Sequence, residues 1–383
     1  MMLHRAPARW GVLESRVQPE VERHGGNLEA MARSLGCRPS ALLDASASLV
    51  PFGPPLGLRL ALLGAPLRPY PDRDHTGLRR RIARLHGLDP TWVLPGNGAA
   101  ELFTWAARDA AAAGLSVLPA PGFGDYGRAL SCWGGSWREQ QLPLNWATPF
   151  PHALPDPGTG AVLWITNPHN PTGQLWSRAS LQPWLERFAL VIADEAFLPL
   201  VASGASQTLT PLLADHPNLV VIRSLTKLYG IAGLRLGYAL GHPDRLRRWA
   251  GWRDPWPVNA LASRAGEWLL RDPAIYEQWC TRVQRWSARE GAWLTGRLAQ
   301  LPGLEPLPSA ANFLLVRGTA SEGRPLTSLL PVLARRHRIL LRDCRSFRGL
   351  DGHWLRIGLQ NRAGNQRLLA AIEQALSDPS PAR

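Results

Sequence analysis

LVVIRSLTKLYGIAGLRLGY, residues 219–238, carries the only lysine of the 383-residue chain, Lys227, just past a run of four aliphatic side chains. Short apolar runs closed by Gly or polar residues suit the strands of a parallel sheet covered on both faces. The quoted stretch holds one such run at 219–223 and opens another at 236–240. Working outward, 116–119, 161–166 and 190–193 read the same way, with helical patterns between them at 99–113 and 177–188 and Ser177 as a candidate N-cap. Strands alternating with longer helices predict an α/β fold with a large, mostly parallel central sheet covered by helices.

Towards the C-terminus the style changes. Residues 258–300 read as long helix interrupted only at Asp272-Pro273, and strands at 311–317, 338–342 and 353–359 then interleave with helices at 326–336 and 363–376. This predicts a smaller α/β C-terminal domain. The expected organisation is an N-terminal arm and lid segment over 1–50, packing on the small domain, a large domain over 51–257, and a linking helix with the small domain over 258–383. The Pro-rich and Gly-rich stretch 51–71 reads as a connecting arm, 143–159 as a loop insertion, and the tail after Ser377 as frayed.

Composition bounds the function. The 43 basic residues, of which 42 are arginine, face 29 acidic ones and leave a formal charge of +14. The densest arginine groups, at 79–84, 245–248 and 335–338, fall within helical patterns, where charge runs are usually solvated faces, so no nucleic-acid partner is expected. No apolar stretch reaches the roughly 18 to 20 residues of a membrane span, and residues 1–22 lack the apolar core of a secretory signal. A cytoplasmic protein with no membrane partner is expected. Cys37, Cys132, Cys280 and Cys344 are far apart with no CxxC pair, which argues against a disulfide framework and against a metal site.

Four polar clusters stand at the ends of the expected strands, where open α/β sheets place ligands: GNGAAE at 96–101, NPHNPTG at 167–173, DEAF at 194–197 and SLTK at 224–227. Singly, each could be an ordinary turn or cap. Together they supply what pyridoxal 5'-phosphate requires. Its aldehyde needs an amine that can be unprotonated in a partly desolvated, cation-rich pocket, and Lys227 is the sole candidate. Its pyridine nitrogen must stay protonated for the ring to act as an electron sink, which a buried carboxylate favours; Asp194 is the choice. Its phosphate calls for backbone N–H groups at a helix start, hydroxyls and a guanidinium, met by Gly98, Ala99, Ala100, Ser224, Thr226 and Arg235. Asn170 offers an amide donor to the ring's phenolate oxygen, and Phe123 an aromatic face to stack on it.

NPHNPTG, ADEAF at 193–197 and SLTKLYGIAGLRLGY at 224–238 resemble the motifs of the aspartate-aminotransferase-type pyridoxal-phosphate enzymes, in the branch that holds histidinol-phosphate aminotransferases and L-threonine-O-3-phosphate decarboxylases. The resemblance runs from about His24 to Leu376. It implies Lys227 as the Schiff-base lysine, Asp194 at the pyridine nitrogen and Arg235 at the phosphate. It also implies a homodimer with shared active sites, in which Tyr70 reaches the neighbouring subunit's cofactor.

Within that branch, HGGNL at 24–28, LLDASAS at 42–48 and PFGP at 51–54 are similar to the decarboxylase N-terminus. Two glycines beside His24 make a flexible loop whose N–H groups can approach an anion closely, as a lid over a substrate phosphate would. Phe197, where aminotransferases of the group usually carry tyrosine, and PGFGDYGRAL at 121–130 agree. A small phosphorylated amino acid carries two anionic groups and needs two guanidinium partners. Arg342 and Arg356 match the family's substrate-binding arginines, and His24, Gly25, Ser48 and Asn170 complete the expected substrate set. One departure stands out: Ser48 and Val50 replace two asparagines of the decarboxylase pattern, and a hydroxyl cannot offer the paired donor and acceptor of an amide. The expected activity is decarboxylation of L-threonine O-3-phosphate for cobalamin biosynthesis. The alternative is a histidinol-phosphate-type aminotransferase and, more distantly, a non-catalytic binding protein of the same fold.

Overall fold

The structure is a computed structural model of the chain and describes residues 24–319 and 325–377. Residues 1–23 of the expected N-terminal arm, and the tail expected after Ser377, lie outside the described residues. Thirteen strands are formed among them: β1 Leu43–Asp44, β2 Val93–Asn97, β3 Ser116–Ala120, β4 Trp137–Gln141, β5 Val162–Thr166, β6 Leu190–Asp194, β7 Leu219–Ser224, β8 Leu236–Gly241, β9 Leu304–Pro306, β10 Phe313–Gly318, β11 Ile339–Leu340, β12 Arg342–Asp343 and β13 Trp354–Gly358.

Seven strands make the main sheet in the order β2-β8-β7-β6-β5-β3-β4. Only β8 runs against the rest, pairing antiparallel with both β7 and β2. Every residue of β5, β6, β7 and β8 is buried, which explains why these strands read as unbroken apolar runs rather than alternating ones. The two-residue period still sorts them. Trp164, Ile192 and Ile222 pack with Phe103, Ala106 and Tyr126 on one face, whereas Leu163, Val191 and Val221 pack with Leu181, Ala262 and Leu269 on the other. Each such fully buried aliphatic side chain contributes about 1.5–3 kcal/mol.

Sequence pattern missed both edge strands. In β2, Pro95 and Gly96 read as a turn, but an edge strand has a free side on which proline's missing N–H costs no ladder bond. At the opposite edge β4 is Trp-Arg-Glu-Gln-Gln, a polar strand of the kind that blunts an exposed edge. The arm at 51–71 contains a helix, Leu56–Leu63. The helix break lies where expected: Asp272 accepts from the Ala274 N–H at 2.9 Å and Pro273 begins the helix Pro273–Leu298. Ser177 caps the helix Arg178–Arg187 through the Ser180 N–H.

The second sheet is antiparallel, in the order β12-β13-β10-β9. The strand expected at 338–342 is split in two: β11 pairs with β1, and β12 pairs with β13. Two consequences follow for the site. Pairing of β1 with β11, reinforced by the Gly358 N–H on the Ala45 carbonyl at 2.7 Å, ties residues 43–48 to the second sheet. The β12–β13 register places Arg342 directly opposite Arg356.

Candidate active site

Because β2, β3, β5, β6 and β7 all run the same way, their C-terminal ends share one edge of the main sheet. The ends of β2, β5, β6 and β7 carry the four polar clusters read in the sequence, and β3 ends at the turn Pro121-Gly122-Phe123. A cavity of about 210 Å³ opens there, and its wall includes Lys227, Asp194, Asn170, Arg342, Arg356 and Ser48.

Lys227 sits in the short helix Leu225–Tyr229 that follows β7. Burial, then the Arg356 and Arg235 charges, bring its amine down to about 8, against smaller opposing pulls from Asp194 and Asp44. About a tenth of it is therefore unprotonated at pH 7, far more than for a free lysine, as a nucleophilic amine requires. Asp194 ends β6. Its Oδ1 accepts from the Ala196 N–H at 2.9 Å and its Oδ2 from the Tyr126 hydroxyl at 2.6 Å. Burial raises this carboxyl to about 6 despite those two donors, so it is mainly ionised at pH 7. An ionised, buried carboxylate with only neutral donors fits a partner N–H of positive charge.

The anion cradle is built by backbone conformation. Gly98 starts the helix Gly98–Ala113 at φ 73°, and a Cβ added there would lie 2.7 Å from an Arg235 guanidinium nitrogen. A side chain at 98 would thus be strained and would occupy the place of that guanidinium. Gly237 is equally constrained, since its Cβ would meet the Ala99 nitrogen at 2.7 Å. Ala99 and Ala100, at the helix start, line the cavity with Ser224, Thr226 and Arg235, and helix N-termini favour anions. These residues fit the phosphate of pyridoxal 5'-phosphate, and Phe123 lines the same cavity.

On the other wall the Arg356 guanidinium is buried and donates to Asn170 Oδ1 at 2.5 Å and to the Ser46 carbonyl at 3.0 Å. Arg342 donates to Ser46's distant namesake Ser346, at Oγ, at 2.6 Å. Phe347 lies under both guanidiniums, 5.2 Å from that of Arg342 and 5.9 Å from that of Arg356. Burial and then Arg342 lower Arg356 to about 10. Two like charges set opposite each other cost stability, and a binding site for anions repays that cost. Ser48 Oγ is buried without a hydrogen-bond partner, leaving it for a ligand. His24 and Gly25 line the same cavity.

All the sequence-predicted residues converge here except two. Gly98 backs the cavity through Arg235 rather than lining it. Tyr70 is 76% exposed, stacked on Trp256 at 4.3 Å, and does not reach the cavity of its own chain. Sequence reading missed Tyr126, Asp125, Ser46 and Phe347. Tyr126 and Asp125 lie in the quoted stretch 121–130, and only the helix Asp125–Cys132 shows that Tyr126 turns inward to Asp194. Arg223 and Glu195 form a buried pair at 2.6 Å beside the site.

The chain also matches known proteins over nearly its whole length. The family "Aminotransferase class I and II" matches residues 53–372. A threonine-phosphate decarboxylase of Salmonella typhimurium is 37% identical over 94% of this chain and 98% of its own length. A histidinol-phosphate aminotransferase of Symbiobacterium thermophilum is 34% identical, over 95% and 97%. The crystal structure of L-threonine-O-3-phosphate decarboxylase from Porphyromonas gingivalis superposes with a TM-score of 0.76 at 27% identity, covering 87% of this chain and 98% of that one.

Proposed function

Since the chain belongs to the class I and II aminotransferase family, we propose that this pyridoxal 5'-phosphate-dependent enzyme decarboxylates L-threonine O-3-phosphate to (R)-1-amino-2-propanol phosphate, a step of cobalamin biosynthesis. The carrying observation is that Arg342 and Arg356, two buried guanidiniums, share one cavity with Lys227 and with the His24-Gly25 segment. A substrate with a carboxylate and a phosphate matches that pair of cations. The decarboxylase relative covering nearly the whole chain supports the same choice.

Bound pyridoxal 5'-phosphate supplies an electron sink for the pair left on the α-carbon when the carboxylate departs as carbon dioxide. Lys227 would hold the cofactor through its amine, and that amine, when free, would supply a proton to the α-carbon. Asp194 would accept the pyridine N–H. Ala99, Ala100, Ser224, Thr226 and Arg235 would bind the cofactor's phosphate. Arg356, fixed in its plane by Asn170 and the Ser46 carbonyl, and Arg342 clamp the substrate's two anionic groups, with Ser48 Oγ as a further donor. Phe123, Phe197 and Phe347 exclude water. In this reading the enzyme works in the cytoplasm as a homodimer. Leu56, Leu60, Leu63 and Tyr70 are all strongly exposed along one arm, an apolar ridge of the kind that a partner subunit covers.

The test is direct. Purified protein with pyridoxal 5'-phosphate and O-phospho-L-threonine releases carbon dioxide without consuming 2-oxoglutarate. Keto-acid-dependent turnover of histidinol phosphate, with no carbon dioxide from O-phosphothreonine, overturns the assignment.

A further inference from the structure

We propose that Asp125 is a positioning residue: its carboxylate holds the His24 imidazole at the mouth of the cavity, keeping the ring's second nitrogen for the substrate phosphate, and so sets the preference for phosphorylated over unphosphorylated amino acids. The inference rests on the function proposed above.

The Gly25–Gly26 backbone is pinned without help from Asp125. A Cβ at Gly25 would lie 2.3 Å from the Ser46 carbonyl oxygen, so only glycine lets this segment press onto Ser46. The Gly26 N–H donates to Ser46 Oγ at 3.0 Å, and that hydroxyl donates to Asp44 Oδ1 at 2.5 Å. What remains free is rotation of the imidazole. The ring has room to turn, because His24 borders not only the site but an outer chamber of about 480 Å³, next to Arg128 and Arg348, and a pocket of about 290 Å³ beside Met31 and Leu330. Half exposed at 51%, it makes two contacts among the described residues: Nε2 to Asp125 Oδ1 at 3.3 Å, and the Phe123 ring, edge-on at 5.9 Å.

Asp125 itself is well held. It is the first residue of the helix Asp125–Cys132 and only 13% exposed, and Arg128 Nε donates to the same Oδ1 at 2.9 Å. Burial pushes its carboxyl up, but the hydrogen bonds from His24 and Arg128 outweigh this and hold it below the ordinary range. A carboxylate on the wall of a cavity for a doubly anionic substrate repels that substrate unless its charge is spent on a cation. Arg128 takes that charge, and His24 Nε2 contacts the same oxygen. Once Nε2–H is given to Asp125, Nδ1 is left for a ligand, and it donates when the ring carries both protons.

The experiment compares holoenzyme with Asp125→Asn, which keeps the shape and removes the charge, and with Asp125→Glu, Arg128→Ala and His24→Ala. Expected for Asp125→Asn is a KM for O-phospho-L-threonine raised about tenfold, the size of one lost charge-assisted contact, with kcat falling by less than about threefold. The inhibition constant of L-threonine stays within about twofold, and Asp125→Glu recovers part of the loss. The double variant with His24→Ala is no worse than His24→Ala alone, as expected of a residue that acts through another. An unchanged KM, an equal loss for L-threonine, or additive effects of the two substitutions overturn the proposal. Calorimetric titration of the holoenzyme with inorganic phosphate keeps the question open to test even if O-phospho-L-threonine is not decarboxylated. Weaker phosphate binding in Asp125→Asn supports the clamp, and equal binding refutes it.

Discussion

Replacing Tyr126 by Phe removes one oxygen from the site and leaves its packing in place. The ring stacks on Trp164 at 4.9 Å and meets Phe103 edge-on at 5.1 Å, contacts a phenyl ring reproduces. The lost hydroxyl donated to Asp194 Oδ2 at 2.6 Å. A hydrogen bond to a buried carboxylate contributes about 1.5–3 kcal/mol, which corresponds to about 1–2 pKa units. Asp194, already raised to about 6 by burial, then moves to roughly 7–8. At pH 7 the wild-type carboxyl is mostly charged, and the variant's is half charged or less. In the proposed site the charged form is the one that would accept the pyridine N–H, so cofactor affinity is expected to fall on the acid side, with the midpoint of the curve displaced upward by about one unit or more. The assay is the Kd for pyridoxal 5'-phosphate, read from the visible absorbance of the bound cofactor across about pH 5.5 to 8.5. Superimposable curves would show that the Tyr126 hydroxyl does not hold the Asp194 charge. A second reading uses the cofactor-free protein. A carboxyl raised in the folded state contributes stability that is present at low pH and lost as pH rises through about 6. The variant is therefore less stable than wild type by about 1.5–3 kcal/mol at pH 8, and by less at pH 4, in urea denaturation.

Three further substitutions probe the rest of the site. Lys227→Met abolishes the visible cofactor band. It should also stabilise the cofactor-free protein: a lysine lowered to about 8 carries stability that is lost as pH falls through that value, so at pH 6 the variant gains about 1–2 kcal/mol after allowance for partial exposure, a gain that urea titration at pH 10.5 no longer shows. Gly98→Ala places a Cβ in left-handed backbone against Arg235. It should cost about 1–2 kcal/mol of stability and weaken cofactor binding about tenfold, and unchanged absorbance titrations would contradict the cradle. Arg356→Lys cannot reach Asn170 and the Ser46 carbonyl together, and kcat/KM should drop roughly 10–100-fold with the cofactor spectrum intact; a loss of under about threefold would show that the bidentate geometry is not used.

The legible parts of the molecule were those where local chemistry dictates local structure. The apolar runs of β5, β6 and β7 announce buried parallel strands, Asp272-Pro273 announces a break in a long helix, and Ser177 is a cap. Each polar cluster after a strand could be read because a strand end, a glycine turn and a helix start are short-range events. The edge strands escaped because edges follow different rules: β2 tolerates proline and β4 needs no apolar face. The split of 338–342 into β11 and β12 escaped because one partner, β1, lies about 300 residues away in sequence and the other, β13, runs in the opposite direction, and neither leaves a local trace.

By itself, the sequence determined which residues could do the chemistry. A single lysine, a carboxylate closing an apolar run, and a glycine where a helix begins are choices of residue type, and residue type sets which atom can form an imine, carry charge or yield φ above zero. Only the tertiary structure decided how those atoms are tuned and faced. Burial brings Lys227 down and Asp194 up, the β12–β13 register sets Arg342 against Arg356, the helix Asp125–Cys132 turns Tyr126 onto Asp194 and Asp125 onto His24, and the pinned Gly25 brings that histidine to the cavity. Charge state depends on desolvation and on neighbours contributed by distant segments, and no local pattern records either.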